Sequence, residues 1–151
     1  MQPLARTTRS LSIAVALAAT LGACAGYNNM MSGAPAMQVG HRLELTGAQE
    51  VPPVTTSATG KAVVMITKDS VSGSIETTGI TATAAHIHQG APGANGPVIV
   101  PMVKEGDKFV FPAGAKVTDA QYEAYKAGRL YVNVHSAANP GGELRAQITD
   151  K

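Results

Sequence analysis

Cysteine is all but missing from this chain of 151 residues: Cys24 is the single example. That excludes an intrachain disulfide, so the folded part must rely on a packed core. Clustered positive charge is missing too. Lys and Arg number 12 against 10 Asp and Glu, and without Arg6 and Arg9 the balance is even. A balanced domain with no basic run carries no electrostatic footprint for nucleic acid. No solenoid-length repeat occurs. Gly90, Gly93 and Gly96 lie between two expected strands with no helix after them, so they form no phosphate cradle. No pair of carboxylates is spaced to flank a pocket. Ser136 directly follows His135 on an expected strand, which turns the two side chains to opposite faces and excludes a nucleophile–base pair there.

The apolar run Leu11 to Leu21, broken by Ser12 and Thr20 and preceded by Arg6 and Arg9, is short for a membrane-spanning helix and has the layout of a bacterial export signal. It leads into Leu21-Gly22-Ala23-Cys24, which resembles the lipobox of bacterial lipoproteins. The resemblance implies cleavage before Cys24 and lipid attachment there, anchoring the protein to a membrane of the cell envelope. Ala25, standing where some lipoproteins carry Asp, implies the outer membrane, with the domain facing the periplasm. Residues 1–23 are thus expected to be a signal peptide, 24–39 a tether, and 40–151 the domain. The tether is small, polar and aperiodic. Its Met30, Met31 and Met37 are spread too thinly for a thioether motif.

From His41 onward, short β-branched runs alternate with Gly, Pro and Asn punctuation. The pattern predicts strands at Arg42–Thr46, Lys61–Thr67, Ser72–Thr77, Ala84–His88, Val98–Val103, Lys108–Phe111, Leu130–His135 and Leu144–Thr149. One segment differs. Thr118 supplies a capping hydroxyl, Gln121 follows three positions on, Lys126 sits in the last turn and Gly128 just past it, so a short helix is predicted. The expected fold is all-β: a Greek-key sandwich or barrel, superoxide dismutase-like or immunoglobulin-like, with one short helix.

His86 and His88 stand two residues apart on an expected strand and therefore share a face, with β-carbons roughly 7 Å apart. His135 lies on another. Three neutral imidazoles converging from two strands suit copper or zinc. Metal–nitrogen bonds are about 2 Å long, so one ion joins three rings only if their nitrogens come within about 4 Å of each other. Each ring needs its second nitrogen fixed by an outer partner, for which Glu143 and Asn133 are nearby in sequence. A further ligand is sought in water, Met102 or His41; Met102 also reads as a core side chain, and His41 as a surface residue.

Four motifs in order, Leu45-Thr46-Gly47-Ala48-Gln49-Glu50-Val51-Pro52-Pro53, Ala85-His86-Ile87-His88-Gln89-Gly90-Ala91-Pro92-Gly93 with Gly96-Pro97-Val98, Leu130 to Ser136, and Asn139 to Ile148, resemble the chordin-type (CHRD) domain in its free-standing bacterial form. The order His-x-His, a later lone His and a Gly-rich turn leading to Arg is similar, more weakly, to copper–zinc superoxide dismutase. That resemblance implies copper ligation by His86, His88 and His135, with Arg145 after the glycines steering an anion. The zinc loop and intersheet cysteines of that enzyme have no counterpart here. The expectation is a lipid-anchored, copper-binding envelope domain with a mononuclear three-histidine site, for buffering, delivery to a copper-handling partner or weak redox chemistry. Any enzymatic activity is at most dismutase-like. The alternative is a metal-free module binding protein or polysaccharide.

Overall fold

The computed structural model describes residues 40–149. The expected export signal, Cys24 and the expected tether fall outside the described residues. The fold is nine antiparallel strands and one helix: β1 (His41–Thr46), β2 (Thr59–Ile66), β3 (Val71–Thr78), β4 (Ala82–Gln89), β5 (Val98–Pro101), β6 (Val103–Glu105), β7 (Lys108–Val110), α1 (Asp119–Lys126), β8 (Leu130–Ser136) and β9 (Leu144–Ile148). A 3-10 turn at Gly47–Gln49, which the sequence pattern does not announce, follows β1. The helix begins as predicted: Thr118 accepts from the Gln121 backbone N–H, and the Gln121 side chain accepts from the Thr118 N–H.

One predicted strand is two. Val98–Val103 breaks at Met102 because its halves pair at opposite ends of the sheet, β5 with β4 and β6 with β7. The strand order is β5-β4-β8-β9-β1-β2-β3-β7-β6. Since β5 and β6 are separated by one residue, the two ends of the sheet meet and the sheet curls into a nearly closed barrel. The Met102 N–H donates to the Ala85 carbonyl at 3.0 Å, and Lys104 Nζ reaches the Ala82 carbonyl at 3.0 Å. Pro101, which has no N–H to give, occupies an end strand, where that loss costs little.

Alternation along the strands sorts the interior. Leu45 of β1, Ala85 and Ile87 of β4, Leu130, Val132 and Val134 of β8, and Leu144, Ala146 and Ile148 of β9 share one apolar core. The intervening residues His86, His88, Tyr131, Asn133, His135, Arg145 and Gln147 face outward. Yet β8 is buried along its whole length. The reason is a second covering layer: the loop between β4 and β5, residues 90–97, lies over the outer face and makes it a polar interior of its own.

Candidate metal centre

The hydrogen-bonded registers bring the outer-facing residues side by side. His86 lies opposite Asn133, and His88 opposite Tyr131, across β4 and β8. Asn133 in turn lies opposite Arg145, and Tyr131 opposite Gln147, across β8 and β9. His135 follows Asn133 by two positions on the same face. The three imidazoles meet there: one ligand nitrogen from each lies within 4.8 Å of the others. The tightest pair is His86 Nδ1 and His135 Nε2, 3.0 Å apart. That pair satisfies the reach of a single ion, and the wider limit leaves less than about 1 Å of ring movement to bring in the third, given metal–nitrogen bonds of about 2 Å.

Backbone carbonyls set the protons. His88 Nδ1 is 2.9 Å from the Gly96 carbonyl, and His135 Nδ1 is 3.0 Å from the Pro140 carbonyl. A carbonyl only accepts, so in the neutral rings both Nδ1 atoms carry the proton and both Nε2 atoms carry lone pairs. His135 Nε2 then accepts from His86 Nδ1–H. His88 Nε2 is buried with no hydrogen-bond partner. A fixed, desolvated imidazole lone pair beside two more imidazoles is the donor chemistry of a transition-metal site. The orienting groups are thus loop carbonyls rather than the sequence candidates. Glu143 instead accepts from Ser136 Oγ and from Thr56 Oγ1 (2.8 Å), and hydrogen bonding by Ser136 and Asn139, then Thr56, holds its carboxyl below the usual carboxylate range. Asn133 donates to Glu50.

Burial, then the neighbouring His135 and His88, pushes His86 down from 6.5 to about 4. His88 is also lowered, chiefly by burial, against the opposing hydrogen bond to Gly96. Both rings are therefore neutral at pH 7, as ligation requires. The same shift makes a stability prediction for the metal-free protein. Between pH 6.5 and 4 the unfolded chain binds the His86 proton and the folded chain does not, so stability is full above pH 6.5 and falls as the pH drops toward 4. The loss is on the order of 2 kcal/mol after discounting for water at the partly exposed ring. Urea unfolding across that range checks it: in His86→Ala the slope should shrink, and an unchanged slope contradicts it.

Arg145 is not at the surface. It is 2% exposed, its guanidinium carbon 3.6 Å from the centre of the Tyr131 ring. It donates to the Ala94 carbonyl (2.9 Å) and to Asn95 Oδ1 (3.2 Å) of the covering loop. On its other face Tyr131 stacks against His88, 4.9 Å between ring centres with planes 14° apart. Loop, arginine, tyrosine and histidine thus form one continuous packing column. Gly96 is where the loop comes closest: a β-carbon there would stand 1.7 Å from the Gln89 carbonyl oxygen. Gly90 and Gly96 serve close backbone approach, whereas Gly93 has open space around it and a φ of +77° that suits a turn. The structure separates two further sequence candidates from the cluster. Met102 packs against the apolar core, and His41 Nε2 lies 2.5 Å from the Tyr125 hydroxyl. The sequence reading missed Glu50, Tyr131, Gly96 and Pro140. Of these only Tyr131 carries a signal, its same-face spacing from Asn133 and His135.

The same segments that build this face carry the family signature: the CHRD domain pattern matches residues 42–148. The chain belongs to the CHRD domain family. Comparison with curated proteins gives no significant match, and comparison with solved structures gives none either. Within this CHRD domain the cluster of His86, His88 and His135 is the one group of three or more His, Cys, Asp or Glu side chains, among the described residues, placed to hold an ion.

Proposed function

We propose that this CHRD domain is an extracytoplasmic copper-binding module whose site is built from His88 Nε2, His135 Nε2 and His86 Nδ1. One observation carries the reading: His88 Nε2 is a buried imidazole nitrogen without a partner, and its ring belongs to a cluster of three imidazoles whose ligand nitrogens lie within 4.8 Å of one another. Imidazole sets bind copper more tightly than the other divalent first-row ions, so copper is preferred over zinc. His86 would offer Nδ1 once the proton it shares with His135 has moved to His86 Nε2. His88 and His135 need no rearrangement of protons. His86 is the most exposed of the three and gives the ion its way in and out.

Arg145 is committed beneath the covering loop and does not hold its charge out to an incoming anion. Buffering or delivery of copper to a partner fits better than rapid dismutation. The export signal and the Leu21-Gly22-Ala23-Cys24 sequence support lipid anchoring at Cys24, so the module would act at an envelope membrane, the outer one on the strength of Ala25. A second reading has one observation in its favour: His86 and His135 already satisfy each other without an ion. On it the domain is a metal-free binding module for protein or polysaccharide.

Titration of the purified full-length protein separates the two. The copper reading expects one equivalent bound at submicromolar dissociation constant, with zinc weaker. For Cu(II), nitrogen hyperfine structure should appear in the electron paramagnetic resonance spectrum. Binding no tighter than that of a variant lacking all three imidazoles leaves the metal-free module.

A further inference from the structure

Beside the histidines lies a polar pair that the copper reading does not use. Glu50, which ends the 3-10 turn after β1, is 5% exposed, and Asn133 of β8 is 2% exposed. Asn133 Nδ2 donates to Glu50 Oε2 at 3.2 Å. The remaining two acceptors, Glu50 Oε1 and Asn133 Oδ1, are both buried without a donor. Both groups lie against the same bare glycine: a β-carbon added to Gly142 would stand 2.8 Å from Glu50 Oε1 and 2.6 and 2.7 Å from Asn133 Oδ1 and Nδ2. Two unpaired acceptors in one dry place are costly. One hydrogen between them removes the cost.

We propose that Glu50 is a proton-binding site: its carboxyl stays a neutral acid at neutral pH and closes a two-point ring with Asn133, Oε1–H donating to Oδ1 while Nδ2–H donates to Oε2. The inference is independent of copper. Asn133 from β8 offers one donor and one acceptor, the complement of a carboxylic acid and a poor match to a carboxylate. The charged neighbour is Arg145 of β9, which favours ionisation, while the hydrogen bonds of its Nη1 and Nη2 go to the loop and to Gln147. Burial raises the carboxyl above its usual range and outweighs the Asn133 N–H, Arg145 and the Val51 backbone, which all favour ionisation. The proton pins the segment after β1 onto β8 beside the imidazoles, and Gly142, with φ of +136° and no side chain, leaves room for it.

Glu50→Gln is the direct test, since an amide places an N–H where the acid has its O–H. A neutral Glu50 predicts that the variant matches the wild type in stability near pH 4 and becomes progressively the more stable as pH rises to 7. The unfolded wild type gains from ionising there, and the unfolded variant cannot. The infrared spectrum of the full-length protein at pH 7 should show the carbonyl stretch of one protonated carboxylic acid, absent in Glu50→Gln. The opposite pattern, a variant less stable at pH 7 and a wild type without that band, makes Glu50 a carboxylate held by Arg145 or by a bound cation and overturns the proposal. Should the variant fail to fold, the band in the wild-type protein decides alone.

Discussion

In His135→Ala, copper affinity falls by more than the roughly 10–100-fold that loss of an outer partner costs a metal site. Two effects combine. The variant removes one of three nitrogens, and it releases His86, whose Nδ1 is fixed by that ring at 3.0 Å. The Pro140 carbonyl loses its donor as well, but Pro140 is exposed and turns to water, so the fold survives. The informative contrast is with His41→Ala and Met102→Leu. His41 sits against Tyr125 and Met102 against the core, so neither change should move the affinity beyond about twofold, a few tenths of a kcal/mol. Competition titration against a chelator of known affinity measures all three. Equal losses in His135→Ala and His41→Ala would mean that copper binds adventitiously to surface imidazoles.

The largest stability effect belongs to Arg145→Ala, which lowers the unfolding free energy by about 3 kcal/mol. Its guanidinium bonds to Ala94, Asn95 and Gln147 and covers the Tyr131 ring. Charge-assisted hydrogen bonds contribute about 1.5–3 kcal/mol each, but the loop carbonyls regain water on the exposed side, so the losses do not add in full. For a domain of this size the melting temperature should drop by roughly 12–24 °C, at about 4–8 °C per kcal/mol. Arg145→Lys recovers only part of it, because an ammonium cannot span the loop acceptors and lie flat on the ring together. Differential scanning calorimetry of the metal-free proteins measures the drop. A loss below about 1 kcal/mol, the range of an exposed polar contact, would mean that the loop is held by other bonds. Copper affinity should fall too, since the column from loop to Tyr131 to His88 loses its base.

The histidine cluster was legible because strand periodicity is simple. Two residues on one strand share a face, and the Tyr131, Asn133 and His135 series repeats the rule on β8. The core was legible for the same reason, with Val132, Val134, Leu144 and Ala146 alternating against polar residues. What remained hidden is set by long-range approach. Nothing local to Gly96 or Pro140 says that its carbonyl orients an imidazole, and nothing around Glu50 says that it meets Asn133, 83 positions later. Arg145 is a further case: the resemblance to the dismutase makes it an anion-steering residue, yet the covering loop buries it. The division of Val98–Val103 at Met102 is hidden likewise, because pairing partners and not local propensity end a strand.

The crossing at Met102 bears on how such a molecule behaves when many copies crowd one surface. The terminal strands β5 and β6 are only four and three residues long, and they meet each other. Ends this short leave little edge main chain there for a neighbour to zip onto, so dense packing should not seed side-by-side polymerisation through β5 or β6.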